Sequence, residues 1–106
     1  MDLFVENINL AVENVEDLDF NIYTKKVEEQ ISGFADVIEK KLIKSNNQKY
    51  YRIVFGLVQN NMNLKIIQHY YPYKNRIYAL TFTSESKEFK KYVNDINDSF
   101  SSFKIN

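Results

Sequence analysis

The chain has 106 residues, of which 44% are hydrophobic and 26% are charged, values typical of one globular domain and far from those of a disordered segment. Fourteen basic side chains balance fourteen acidic ones, so net charge attracts the chain neither to nucleic acid nor to an anionic membrane. The lack of cysteine excludes disulfides and cysteine nucleophiles. Composition therefore predicts a single domain over residues 1–106 that does not bind nucleic acid.

The N-terminal segment does not have the form of a signal peptide, because Asp2 and Glu6 interrupt its apolar residues. No apolar run approaches the roughly 20 residues that cross a membrane as a helix. We therefore expect a cytoplasmic protein from the sequence as it stands. An upstream signal, if one was removed, would instead make it extracytoplasmic or a lipoprotein.

The first two predicted elements are a strand and a helix. Apolar and polar residues alternate over residues 3–15, which predicts a half-buried strand. From Phe20 the apolar spacing becomes helical, with Asp17 or Asp19 as the N-cap and Gly33 as the C-terminal stop. The apolar stripe of this helix is Phe20, Tyr23, Val27, Ile31 and Phe34.

Four more strands are predicted in the middle of the chain, over residues 37–43, 49–59, 62–73 and 76–83. The turns between them contain asparagine, which tolerates the left-handed backbone of tight hairpins. Two-residue loops would fix the register of all three hairpins. The facing pairs would include Leu42 with Tyr51, Gly56 with Lys65, and Tyr71 with Tyr78.

This register divides the four strands into two faces, both too apolar to be left in solvent. The first face carries Ile38, Leu42, Tyr51, Ile53, Phe55, Leu57, Leu64, Ile66, Tyr70 and Ala79. The second face carries Tyr50, Val54, Val58, Ile67, Tyr71, Tyr78, Leu80 and Phe82, with Arg52, Lys65 and His69 between them. Each face therefore needs a covering layer.

A second helix closes the chain, with Ser84 or Ser86 as its predicted N-cap. Its apolar stripe is Phe89, Tyr92, Val93, Ile96, Phe100 and Phe103. Because both helices need partners for their stripes, we predict one helix on each side of the sheet. The predicted fold class is α+β, a three-layer sandwich with a five-stranded antiparallel sheet and the order β-α-β-β-β-β-α.

Five segments, in order along nearly the whole chain, resemble one known family. Residues 4–13 (FVENINLAVE) resemble its F-x-E-N strand, and residues 17–24 (DLDFNIYT) resemble the leucine-led helix that follows. Residues 64–68, 77–83 and 96–100 (LKIIQ, IYALTFT and INDSF) are similar to two later strands and to the end of the closing helix. The chain thus resembles the PsbP-like and DcrB-like superfamily of small α-β-α sandwich accessory proteins.

The resemblance implies a non-catalytic module that binds another protein. Known branches include extrinsic photosystem II subunits, envelope lipoproteins, a Ran-binding branch and chaperones for effectors secreted by the type VI system. A chaperone that shields a hydrophobic client segment and a small-ligand carrier are the alternative functions. Family domains usually begin with a further strand, so the chain is expected to lack one. A homodimer through the exposed sheet edge would then be favoured.

Residues that suggest chemistry have simpler structural interpretations. His69 is the only histidine, and a metal site or a nucleophilic site needs further converging groups. The acidic residues Glu13, Glu16, Asp17 and Asp19 surround a helix start, where carboxylates are favoured. No glycine-rich phosphate loop is present. We therefore expect no enzyme activity, no metal and no cofactor.

The best candidate site from the sequence is an aromatic and cationic group that the predicted register brings together. We call this group the aromatic patch: Tyr50, Arg52, His69, Tyr71, Tyr73 and Tyr78. Tyrosine and arginine are enriched in recognition surfaces, which makes this group the candidate for partner binding. The favoured interpretation is nevertheless a ladder of cross-strand pairs that a helix covers, and any part left uncovered would be the binding site.

Overall fold

The computed structural model describes residues 7–45 and 48–101. The elements are β1 (Asn7–Asn14), α1 (Phe20–Ser32), β2 (Asp36–Ser45), β3 (Gln48–Gln59), β4 (Met62–Tyr73), β5 (Arg76–Glu85), a 3-10 turn (Ser86–Glu88) and α2 (Phe89–Ser101). All five strands form one antiparallel sheet in the order β1-β5-β4-β3-β2. The predicted fold class and element order are confirmed.

The predicted register of the three hairpins is confirmed over most of their length. Leu42 faces Tyr51, Gly56 faces Lys65, and Tyr71 faces Tyr78. Asn60 and Asn61 take the left-handed φ values of 51° and 63° that the β3–β4 turn requires. The β2–β3 turn, residues 46–47, lies outside the described residues. Short loops with the right turn residues therefore set the pairing of four strands.

One part of the register prediction is wrong, at the beginning of β2. The pairing with β3 shifts between Val37 and Glu39, which is the mark of a β-bulge. Val37 consequently packs on the side of the sheet that α1 covers, whereas Ile38 is more than half exposed and lies beside Gly56. The extra residue in the bulge is the physical reason that Ile38 does not belong to the first face.

Two hydrophobic cores, one on each side of the sheet, confirm that the helices occupy opposite faces. The α1-side core contains Phe20, Val27, Ile31, Tyr51, Ile53, Phe55, Leu64, Ile66, Tyr70 and Ile77. The α2-side core contains Val54, Ile67, Tyr71, Leu80, Phe82, Ile96 and Phe100. Phe34 is the exception in the predicted α1 stripe, because it lies beyond the helix end and is mostly exposed.

The ends of the helices confirm one set of predicted caps and correct the other. The Asp19 carboxylate accepts a hydrogen bond of 3.2 Å from the Ile22 backbone N–H, and Gly33 ends α1. Neither predicted serine caps α2. Ser84 is buried inside β5, which is two residues longer than predicted, and Ser86 begins the 3-10 turn. The continued pairing of β5 with β4 as far as Glu85 explains the difference.

The two edge strands of the sheet, β1 and β2, differ in their protection. β2 carries Lys40, Lys41 and Lys44 in addition to its bulge, features that discourage pairing with another chain. β1 pairs with β5 in an unbroken register from Asn7 to Asn14. Residues 3–6 of the predicted first strand and Phe103 of the predicted last helix lie outside the described residues.

Candidate protein-binding surface

The centre of the aromatic patch is a hydrogen-bonded chain on the α2 side of the sheet. His69, only 4% exposed, lies between Arg52 on β3 and Tyr71 on its own strand. Arg52 Nη1 lies 2.9 Å from His69 Nε2, and His69 Nδ1 lies 3.0 Å from the Tyr71 hydroxyl. Because arginine can only donate, Nε2 is the acceptor and the ring proton resides on Nδ1, which donates to Tyr71.

The protonation states follow from this environment. Burial, reinforced by the positive charge of Arg52, lowers the pKa of His69 to about 3, so the imidazole is neutral at physiological pH. Burial also raises the pKa of Tyr71 above its ordinary value. Both groups are therefore held in their neutral forms, and neither is poised to exchange protons near pH 7.

Helix α2 covers this chain of side chains. Phe100 contacts the His69 ring edge-on, with 4.7 Å between the ring centroids. Asn97 Oδ1 accepts a hydrogen bond of 3.3 Å from Arg52. On the sheet itself, Tyr50 stacks on His69 with 4.8 Å between ring centroids. His69 and Tyr71 are consequently buried members of a cross-strand ladder, out of reach of a partner in this conformation.

The outer members of the aromatic patch are more accessible. Tyr50, Arg52 and Tyr78 are partly buried, and Tyr73 is 38% exposed at the end of β4. The ammonium group of Lys74 lies 5.3 Å from the centroid of the Tyr73 ring. The register thus brings the six predicted residues to one face, as expected, but only its margin can be reached from solvent.

A second apolar feature on the same face was missed by the sequence analysis. Ile8, Leu10 and Val12 of β1 are 49%, 49% and 53% exposed, and we call these three residues the β1 strip. They lie opposite Phe82, Leu80 and Tyr78 of β5 respectively. Helix α2 packs on β5 but leaves the β1 strip half uncovered. Alternation in the sequence indicated that these residues share a face of the strand, but not that the strand lies at the edge of the sheet.

The α1 side contains a different polar arrangement, built from tyrosines. The Tyr70 hydroxyl donates to Gln68 Oε1, and Gln68 Nε2 donates to Thr81 Oγ1 at 3.3 Å. Burial and the nearby Glu13 carboxylate raise the pKa of Tyr23 to about 12. The Tyr51 hydroxyl is buried and has no hydrogen-bond partner among the described residues. This side therefore holds one buried polar group that is not satisfied.

Two hollows lie at opposite ends of the sheet, and both are open to solvent. One, of about 710 Å³, lies between the end of α1 and the β3–β4 hairpin, and the other, of about 420 Å³, lies beside the β4–β5 turn. Within residues 7–45 and 48–101, no three histidine, cysteine or acidic side chains come together as metal ligands would. Neither hollow encloses space as small-molecule sites usually do.

Comparisons with known proteins identify the fold. No protein-family model and no curated protein matches the chain. Among solved structures, cyanobacterial PsbP from Synechocystis superimposes with a TM-score of 0.72 and 15% identity over 95% of this chain and 68% of that one. The fold is PsbP-like. This confirms the fold that the predicted resemblance implied, whereas membership of the PsbP-like and DcrB-like superfamily stays a prediction.

Two further structures share the PsbP-like fold at low identity. A protein of unknown function from Pseudomonas aeruginosa has a TM-score of 0.81 and 9% identity over 97% of this chain and 85% of that one. LpqN of Mycobacterium tuberculosis, involved in cell envelope biogenesis, has a TM-score of 0.65 and 9% identity over 87% of this chain and 58% of that one. In the part of the chain that the structure describes, neither helix is long and apolar enough to span a membrane.

Proposed function

We propose that the protein is a non-catalytic accessory module that binds another protein through the α2 side of β1 and the margin of the aromatic patch. The observation that supports this proposal is the half-exposed β1 strip. Three apolar side chains in a row on one strand form a continuous surface rather than a scatter of single exposed residues.

Covering the β1 strip would contribute favourable free energy to the binding of a partner. Each of its residues buries about half of its side chain in this structure. Removing the remaining half from water would contribute roughly 1 kcal/mol for each residue. A partner that covers all three residues would therefore gain about 3 kcal/mol from apolar burial, before any polar contact. Such a contribution is appropriate to the centre of a modest interface.

Aromatic and polar groups lie directly beside the strip. Val12 faces Tyr78 across the β1–β5 pairing, and Tyr73 extends the surface towards the β4–β5 turn. Tyrosine supplies a large apolar contact together with a hydroxyl that can bond at the rim. An apolar strip edged by tyrosines has the composition of a protein recognition surface. The involvement of LpqN in cell envelope biogenesis is in keeping with an accessory role of this fold.

The experiment that tests this proposal is affinity capture from the source cells, comparing single substitutions on the two faces of the sheet. Val12→Asp introduces a charge into the β1 strip, and we expect it to abolish capture of the specific partner. Tyr73→Ala should weaken capture about tenfold. The matched control is Ile22→Asp on α1, which is 56% exposed on the opposite side and should leave capture unchanged. Equal capture by all variants would refute the proposal.

A chaperone that shields a hydrophobic client segment is the second candidate function. The β1 strip favours it as well, because it lies beside a strand edge that no other strand pairs with in residues 7–45 and 48–101, and such an edge suits an extended apolar peptide. An environment-sensitive dye and short apolar peptides should then bind the folded protein, and Val12→Asp should remove that binding. Negligible binding by the unmodified protein would eliminate the chaperone function.

A further inference from the structure

The outer edge of β1 is an unpaired strand edge without the usual protection. Among the residues that the structure describes, β5 pairs with one side of β1 and no strand pairs with the other. Residues 7–14 contain no lysine and no proline, and their register with β5 has no bulge. Lysine, proline and bulges are devices by which proteins normally prevent an edge strand from pairing with another chain. The edge therefore offers backbone donors and acceptors to another strand.

We propose that β1 pairs with β1 of a second copy of this chain, antiparallel and about a two-fold axis. In this arrangement Leu10 lies opposite Leu10 of the second copy, Ile8 lies opposite Val12, and the two sheets join into one of ten strands. The inference deepens the proposed function and rests on it for the surface involved. It names a second copy as one partner of that surface.

Symmetry limits the registers that such a pairing can take. Directly opposed residues on antiparallel strands point to the same face of a sheet, and a two-fold axis perpendicular to the sheet preserves the faces. A residue must therefore face itself or a residue of the same parity. Centring the pair on Leu10 brings all three residues of the β1 strip into contact with their counterparts, which centring it on Asn9 or Ala11 does not.

Charge also favours this register. With Leu10 at the axis, Glu13 lies opposite Asn7, so no two like charges face each other within residues 7–13. Self-pairing of β2 would instead bring lysines from the two copies close together at its centre. Pairing of β1 with β2 of another copy would leave free edges and continue without closing. Of these arrangements, the β1–β1 pair is the one that both closes and keeps like charges apart.

The size of the contact predicts a weak dimer. One strand pair with three side chains from each copy falls at the small end of specific interfaces. We therefore expect a dissociation constant of about 1 to 100 µM, with exchange between monomer and dimer during a sizing experiment. Light scattering from about 5 µM to about 500 µM should show the mean mass rising from that of one chain towards that of two.

Two matched leucine substitutions locate the contact. Leu10 and Leu42 lie in opposite edge strands and are 49% and 48% exposed, so lysine should be tolerated equally by the fold at either position. Leu10→Lys places two like charges opposite each other at the axis and should raise the dissociation constant at least tenfold. Leu42→Lys should leave it unchanged. Near-ultraviolet circular dichroism verifies that both variants fold.

Cysteine substitutions test the register, because the natural chain has no cysteine. Leu10→Cys should form a disulfide-linked dimer under mild oxidation. Ile8→Cys alone should not, since its two copies would lie about 13 Å apart along the strands, too far for a disulfide. Ile8→Cys mixed with Val12→Cys should cross-link again. Equal cross-linking by Ile8→Cys alone would overturn the register.

The outcomes separate this inference from the proposed function. A chain that stays monomeric at about 500 µM, or one whose dimer tolerates Leu10→Lys, overturns the β1–β1 pairing. If Val12→Asp still abolishes capture of a different protein in that case, the proposed function stands without self-pairing. If neither self-association nor partner capture depends on β1, both fail.

Discussion

The two faces of the sheet bury apolar cores of similar composition but treat their buried polar groups differently. On the α2 side, both nitrogens of His69 have partners, in Arg52 and Tyr71. On the α1 side, the Tyr51 hydroxyl is buried with no partner among the described residues. A buried polar group contributes stability when it is paired and costs stability when it is not. The same substitution should therefore destabilise the protein on the α2 side and should not do so on the α1 side.

Acid should cause the largest loss of unfolding free energy, and it acts through His69 on the α2 side. The folded protein holds His69 neutral with a pKa of about 3, whereas the unfolded chain binds a proton below its ordinary pKa of 6.5. Stability from this group is thus complete above pH 6.5 and falls as the pH drops from 6.5 towards 3. We expect a loss of roughly 3 to 5 kcal/mol across that window, measured by urea unfolding.

The control for the pH experiment is His69→Gln, which keeps a donor and an acceptor but does not titrate in this range. The difference in unfolding free energy between the two proteins should shrink as the pH falls from 6.5 to 3. A difference that stays constant with pH would contradict the assignment of His69 as the buried neutral group.

Substitution of Arg52 should have the next largest effect. Arg52→Met leaves His69 Nε2 without its donor and removes the bond to Asn97, so we expect a loss of about 2 kcal/mol. Removal of the positive charge should also raise the pKa of His69, which an NMR titration of the imidazole would detect. The control is Lys41→Met, because Lys41 is exposed and faces Arg52 across the β2–β3 pairing. This variant should neither destabilise the protein nor raise the pKa of His69.

Two matched tyrosine substitutions test the contrast between the faces directly. Tyr71→Phe removes the acceptor of the His69 Nδ1–H and should cost about 1 to 2 kcal/mol of unfolding free energy. Tyr51→Phe removes an unpaired buried hydroxyl and should be neutral or stabilising by up to about 1 kcal/mol. Urea unfolding at pH 7 measures both. Equal losses from the two variants would show that the Tyr51 hydroxyl has a partner.

A smaller loss is expected within the polar chain of the α1 side. Thr81→Val keeps the branched shape of a strand residue but removes the acceptor of the Gln68 amide. Both residues are only partly buried, so water can replace the lost bond, and we expect about 0.5 kcal/mol. A loss above about 2 kcal/mol in urea unfolding would mean that the Gln68 and Tyr70 pair depends on Thr81.

The aromatic patch shows how far the sequence could predict a site. Turn lengths fixed the register, and the register brought Tyr50, His69 and Tyr71 together on one face. The sequence left open whether a helix covers them, because helix placement over a sheet depends on packing from several elements at once. In the structure, α2 reaches the patch through Phe100, which contacts His69, and Asn97, which bonds Arg52, and both lie far away in the chain.

The β1 strip and Ile38 were misjudged for related reasons. Alternation correctly grouped Ile8, Leu10 and Val12, but the partner of β1 is β5, more than sixty residues away, and no short turn announces it. The bulge at Ile38 likewise has no glycine or proline signal within β2 itself. Ser84 was assigned as a cap because serine favours caps, yet β5 continues through it.

The sequence by itself determined the elements, the two faces of the hairpins and their register, because alternation, helical spacing and turn residues act within a few positions of the chain. The tertiary structure alone decided the place of β1 at an unprotected edge, the burial of His69 and the exposure of the β1 strip. Those features arise from contacts between segments distant in sequence. Such contacts form only when whole faces complement one another, which no local pattern records.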